Sequence, residues 1–354
     1  MSNRDLHIME LPKKVIIGRN IIDKVTNIFP PLGKDIEYKV IITGPNVYNI
    51  IKDKIDEKLK QNSYIYIVRK ATWNEVYRIK KEILTSCDKN FEYIIGLGGG
   101  KVIDISKMIS FKLNKKFISI PTTPSHDGIA SQFVSLKEKN KVYSYSTRPP
   151  TAIIVDLNIL ENAPGRLISS GVGDAIAKIT AVEDWKLAHE KMEEYFGEYS
   201  ANLALLGAEL VKKRSEGIGR RDSESIRTLV EALISDGVAA GIAGSSRPCS
   251  GSEHLFSHAI DIFGNYHALH GEQVGVGTII MSYLHDLDYE GIKDTLSKAG
   301  APTNYKELGI SKRDMINGLL YAKKVRPERY TILNEIKIDR IIAERILKKV
   351  KVIW

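Results

Sequence analysis

Short β-branched runs alternate with longer amphipathic stretches through roughly the first 160 residues, and no other feature narrows the fold as much. The runs YKVIIT (38–43), YIYIV (64–68), YIIGL (93–97), FISI (117–120) and AIIVD (152–156) predict strands. Between them, 47–60, 74–84 and 102–111 carry apolar residues at helical spacing and predict helices. Strands without polar alternation must be covered on both faces, so this half reads as a Rossmann-like parallel sheet wrapped by helices. From Pro164 the character changes. Stretches 176–188, 203–214, 225–240, 253–263 and 314–324 all read as helices, and extended β-branched runs become scarce. We therefore expect an α/β domain over 1–162, followed by an all-α domain over 163–354. A ligand is expected in a cleft between them.

The length of 354 residues suits two domains, each with its own core. The cysteines are Cys87 and Cys249, which excludes a disulfide framework and a cysteine-based zinc site and fits a reducing compartment. Lysine and arginine number 52 against 43 acids, a formal charge of +9 that suits an anionic ligand. The bases are interspersed with acids, as over 52–60, so nucleic acid is not the expected partner. The start MSNRDLHIME lacks an apolar signal core, and no apolar run is long enough to span a bilayer. A cytoplasmic protein without membrane insertion is expected.

Where the third predicted strand meets its helix stands Gly96-Leu97-Gly98-Gly99-Gly100-Lys101-Val102-Ile103-Asp104. Free N–H groups at a helix start carry partial positive charge, and glycines let a pyrophosphate approach the backbone. The pattern is neither the common dinucleotide fingerprint, since Lys101 occupies its last glycine, nor a P-loop. On its own it also fits a plain tight turn. A second loop, Pro121 to Ser131 with Thr122, Thr123, Pro124, Ser125, His126 and Asp127, follows the next strand at the same sheet end, where parallel sheets bind ligands. After the first strand, Thr43-Gly44-Pro45-Asn46 offers no acid for the adenosine ribose, so NADP is expected to serve as readily as NAD.

Histidines 254, 258, 267 and 270 fall within a span of 17 residues. On a helix, His254 and His258 share a face with Asp261, which makes a polar stripe on an otherwise apolar element. Imidazoles with a carboxylate from elsewhere form a site for zinc or another borderline divalent ion. Asp174, in Gly171-Val172-Gly173-Asp174, is the expected carboxylate. It is placed at a helix start among small residues that allow close approach, where it could equally be a capping acid.

The motifs GLGGGKVID, IPTTPSHDGIAS, GVGDAIAKITAVEDWKLA, GSSRPCSGSEHLFSHAID and ALHGEQVGVG, in this order, resemble the sn-glycerol-1-phosphate dehydrogenase family. That family lies within the superfamily of iron-dependent alcohol dehydrogenases, glycerol dehydrogenase and dehydroquinate synthase. The resemblance implies a dehydroquinate-synthase-like fold and NAD(P)H-dependent reduction of dihydroxyacetone phosphate to sn-glycerol 1-phosphate, the archaeal phospholipid backbone. It implies one divalent metal, taken as zinc, on Asp174, His254 and His270. Nicotinamide-cofactor contacts then fall on Gly98, Gly99, Gly100, Lys101, Val102, Ile103, Asp104, Thr122, Thr123, Pro124, Ser125 and Ser131. Substrate contacts fall on Asp127, Asp174 and His258, and the proton is delivered by His258, Asp127 or a water held by the metal. His267 is left to a structural role. A homo-oligomer is the family's habit. For the substrate phosphate, charge and location nominate Arg247 and Ser252, although Arg247 could instead brace its loop. The rival readings are a glycerol or other polyol dehydrogenase of the same superfamily and a non-catalytic nucleotide- or nucleic-acid-binding protein.

Overall fold

The structure is a computed structural model that describes residues 7–33, 38–61, 63–87, 91–138, 141–263 and 267–354. The first six residues of the N-terminal reading lie outside these. Two compact units are present. One comprises residues 10–124 and 128–163; the other comprises the segment up to Met9, Ser125–Asp127 and Pro164–Trp354.

The first unit holds β1 (Lys14–Gly18), β2 (Lys39–Thr43), β3 (Ser63–Ile67), β4 (Tyr93–Gly98), β5 (Lys116–Pro121) and β8 (Ala152–Asp156) in one parallel sheet of order β1-β8-β5-β4-β2-β3. Strands β2, β4 and β8 are buried along their whole length, as their unbroken apolar runs require. Successive side chains serve opposite faces. Val40, Ile42 and Ile94 join one core with Val76, Ile79, Val102 and Ile105, while Ile41, Ile95 and Ile118 join the other with Val25, Ile51 and Leu59. The chain runs from β2 outward to β3 and returns on the other side of β2 as β4, so the strand order reverses between β2 and β4. Their carboxyl ends, with Thr43 opposite Leu97, form the switch point at which such sheets bind ligands.

Three local readings change. The stretch 47–60 is two helices, Pro45–Ile51 and Glu57–Gln61. Asp56 interrupts it by accepting from Thr26 N at 2.9 Å and from Lys58 N at 3.0 Å, and these bonds compete with helix continuation. Strand β1 at the sheet edge was not anticipated, nor was the antiparallel pair β6 (Phe133–Glu138) and β7 (Lys141–Ser146). The β6–β7 pair lacks the solid apolar run of the central strands, whereas β1, KVIIG, carries the same run as β2, KVIIT, and differs in its half-exposed edge position.

In the second unit, helices α2 (Gly165–Ile176), α3 (Lys178–Met192), α4 (Glu198–Gly219), α5 (Ser223–Ala243), α6 (Ser252–Phe263) and α7 (His270–Leu284) follow α1 (Gly100–Lys112) of the sheet unit. Trp185, fully buried, packs with Val182, Ala201, Ala204 and Ala239 where α3, α4 and α5 meet. Helices α2 and α7 touch through glycines. A Cβ on Gly173 would lie 2.1 Å from Gly271 O, and one on Gly271 would lie 1.9 Å from Ser170 O. Only glycine permits this approach. Among the described residues no helix is long and apolar enough to cross a membrane.

Candidate metal centre and cofactor turn

The α2–α7 contact brings Asp174, in the last turn of α2, close to His270, the first residue of α7. One ligand atom from each of Asp174, His254 and His270 lies within 4.8 Å of the others. Asp174 is therefore not at a helix start: Ala177 joins α2 to α3, and α3 has no side-chain cap. Gly171 and Gly173 sit inside α2, where Gly173 makes room for Gly271.

Each of the three side chains is held from behind. His254 Nδ1 lies 2.8 Å from Glu253 Oε1, which turns Nε2 toward Asp174 Oδ1 at 3.8 Å. Glu253 is fully buried and is fixed by Gly251 N at 2.6 Å and Thr180 Oγ at 2.8 Å. Burial pushes its carboxyl up in pKa against those two donors. Ser257 Oγ donates to Gln273 Oε1 at 2.7 Å and so faces His270 Nδ1, 3.4 Å away, as an acceptor, which frees His270 Nε2. Gln273 in turn donates to Asp261 at 3.2 Å, so Asp261 orients the site rather than joining it. Such outer partners fix tautomer and ring orientation in metal sites. Burial, then His270 and Lys178, hold the His254 imidazole well below its ordinary pKa, so its lone pair is available at neutral pH. The donor set of two nitrogens and one oxygen suits a borderline divalent ion.

Behind the carboxylate lies a charge cluster that the sequence analysis did not single out. The Lys178 ammonium is fully buried, 3.0 Å from Asp127 Oδ2, 3.2 Å from Asp174 Oδ2 and 4.0 Å from Asp236 Oδ2. Burial pulls its pKa down, but the three carboxylates outweigh this and hold it well above its usual value. Asp236 is driven well up by burial, and neither of its carboxylate oxygens has a hydrogen-bond partner. Asp127, half-buried at the start of a short helical turn, also donates its N–H to Asp174 Oδ2 at 2.9 Å. That leaves Asp174 Oδ1 toward the histidines. Lys178 stands four residues after Asp174.

His258 stacks on His270 with ring centroids 5.9 Å apart, and His254 lies 5.0 Å from the same ring. Its Nδ1 is buried and unpartnered, and burial together with His270 and His254 keeps the ring neutral. His267 is exposed, and its carbonyl accepts from Arg166 at 2.5 Å. Arg247 is buried against Glu194, with Nε 2.6 Å from Oε1, and donates through Nη1 to Tyr330 O at 2.8 Å. Ser252 Oγ is buried and unpartnered.

In the sheet unit, β4 passes through Gly98 and Gly99 into α1, and Gly99 caps the helix without a side-chain bond. A Cβ on Gly98 would meet Val102 at 2.7 Å, and one on Gly99 would meet Thr123 Oγ at 3.1 Å. The turn is thus packed to the limit of glycine and leaves the first amides of α1 for an anion. Thr122 N donates to Gly98 O at 3.0 Å, which ties the second loop to the turn. Thr122, Thr123 and Ser131 are buried. Ser125 is buried too and belongs to the helical unit. Lys101 reaches Arg69 O at 2.9 Å, and Asp104 accepts from Ser135 N at 3.3 Å. Sequence reasoning missed Lys107. Its buried ammonium donates to Gly128 O at 2.7 Å, Ser131 O at 2.6 Å and Phe133 O at 3.0 Å, and so pins that loop to α1.

Comparison with known proteins agrees with this fold. The family described as iron-containing alcohol dehydrogenase matches residues 16–164. A Pyrococcus horikoshii protein named glycerol-1-phosphate dehydrogenase (NAD(P)+) is 46% identical over 345 residues, covering 97% of this chain and 99% of the relative. A Staphylothermus marinus protein of the same name is 46% identical over 355 residues, covering both chains fully. Among solved structures, glycerol dehydrogenase from Schizosaccharomyces pombe superposes with TM-score 0.80 at 21% identity, covering 98% of this chain and 90% of that one. Sulfoacetaldehyde reductase from Bifidobacterium kashiwanohense, in complex with NAD+, gives 0.74 at 14% identity, covering 98% of each chain.

Proposed function

We propose, from the premise that the chain belongs to the glycerol-1-phosphate dehydrogenase family, that it reduces dihydroxyacetone phosphate to sn-glycerol 1-phosphate with NADH or NADPH. The observation that carries this reading is the full-length match at 46% identity, and the convergence of Asp174, His254 and His270 supplies the chemistry. The product is the glycerol backbone of archaeal phospholipids.

In this reading Gly98, Gly99, Gly100, Lys101, Val102, Ile103, Asp104, Thr122, Thr123, Pro124, Ser125 and Ser131 hold the dinucleotide. The amides at the start of α1 face its pyrophosphate, and the acid-free end of β2 at Thr43 and Gly44 accommodates either ribose form. Asp174, His254 and His270 hold one divalent ion, which we take as zinc. When bound, the ion supplies a Lewis acid that stabilises negative charge on the substrate oxygen. The remaining work falls to the chain. Glu253 and Ser257 keep both imidazoles turned so that Nε2 is free. Lys178 neutralises the carboxylates behind the site and leaves Asp174 Oδ1 as the ligand atom.

Reduction of the ketone consumes one hydride and one proton, giving the secondary alcohol and the oxidised cofactor. His258, with its buried free Nδ1, and Asp127, hydrogen-bonded through its amide to Asp174, are the side chains assigned to hold substrate and move that proton. The test is oxidation of NADH and NADPH with dihydroxyacetone phosphate, before and after chelation, with the product's chirality assigned. We expect metal-dependent oxidation of both cofactors and the sn-1 product. Undiminished turnover by metal-free protein, or a preference for unphosphorylated dihydroxyacetone, overturns the proposal.

A further inference from the structure

Three arginines gather beside the histidine helix with too few carboxylates to balance them. Arg247 is satisfied by Glu194 and the Tyr330 carbonyl. Arg329 donates Nη1 to Ser246 Oγ at 3.1 Å and Nη2 to Ser250 O at 2.5 Å, which docks it on the loop that leads into α6. Its Nε is buried and has no partner. Burial, reinforced by the charges of Arg247 and Arg326, forces the Arg329 guanidinium down to about 9. Arg326 is half-buried and makes no hydrogen bond or ion pair among the described residues; exposed Glu328 is the acid it senses. Both Arg326 and Arg329 act on His258 and press it toward the neutral form. Ser252 Oγ, at the start of α6, is a further buried donor left unsatisfied.

Burying unpaired guanidinium N–H groups is costly unless something compensates them. An incoming dianion that accepts from two guanidinium forks does so, and arginine geometry matches tetrahedral phosphate oxygens. We propose that Arg326 and Arg329, with Ser252 Oγ, form the subsite that takes the phosphate group of the substrate. Arg247 acts through them as a positioning residue: by holding the Tyr330 carbonyl it fixes the segment that carries both. The assignment rests on the reading of the substrate as a phosphorylated ketone and adds the residues that distinguish it from the unphosphorylated one.

The test uses full-length, metal-loaded protein. Calorimetric titration with inorganic phosphate should show saturable binding, weakened at least tenfold in R326A and in R329A and partly restored in R326K. The ratio of kcat/KM for dihydroxyacetone phosphate to that for dihydroxyacetone should fall at least tenfold in R326A, chiefly through KM. R326A carries the decision if R329A fails to fold, because the Arg326 side chain makes no hydrogen bond or ion pair among the described residues that its loss would break. Phosphate affinity unchanged in R326A, or equal losses on both ketones, overturns the subsite. A wild type that binds phosphate through these arginines but reduces neither ketone overturns the proposed activity and leaves the subsite standing.

Discussion

Asp174, His254 and His270 each offer one free donor atom because every other polar atom on them is already engaged, and this makes their removal predictable. His254→Ala and His270→Ala should each lose bound metal, read by elemental analysis, and reduce turnover at least about 100-fold, beyond the roughly 10–100-fold that losing an outer partner of a ligand costs. Lys178→Met tests the charge balance. It leaves Asp127, Asp174 and Asp236 facing one another without a cation, so unfolding should show a loss of about 3–5 kcal/mol, the range for breaking a buried ion pair. The histidines set a pH dependence. His254 and His258 are held neutral by burial, with folded pKa values below the unfolded value of about 6.5. The unfolded chain therefore binds more protons than the folded one as pH falls below about 6.5, and stability declines there. Metal-free protein should show a melting temperature that drops between about pH 7 and 5, and this drop should be smaller in His258→Asn.

At the scale of elements, legibility followed burial. Strands β2, β4 and β8 are enclosed on both faces, so their apolar runs announce them, whereas the β6–β7 pair mixes polar and apolar residues; β1, KVIIG, is as apolar as β2 and escaped notice for no reason of composition. The candidate metal ligands could be nominated because histidine clustering is visible in one dimension. Their supports could not, since Glu253, Gln273, Lys107 and Lys178 matter only through partners brought near by folding. Asp174 was found but misplaced: the same small residues suggested both a helix start and close packing, and the structure realises the second. The α2–α7 crossing is directly testable. Gly271→Ala puts a methyl group against Ser170 O and should destabilise the helical unit by about 1–3 kcal/mol, as overpacking does, with weakened metal retention. Gly98→Ala strains the other unit's turn against Val102 and should raise KM for NADH and NADPH while metal content stays at the wild-type level.

For the molecule as a whole, strand runs give way to helices where the two compact units change over, at Ala163 and Pro164. What no periodicity could convey is that Ser125–Asp127, leaving a strand of the sheet, groups with the helices. The charge of +9 had no visible address in the sequence; the uncompensated arginines near α6 give part of it one. The glycine-to-glycine crossing bears on ion choice. If the proposed site holds an ion, the backbone positions of Asp174 and His270 are set by two helices in contact, so the span between those two ligands is fixed partly by the scaffold and not by side-chain length alone.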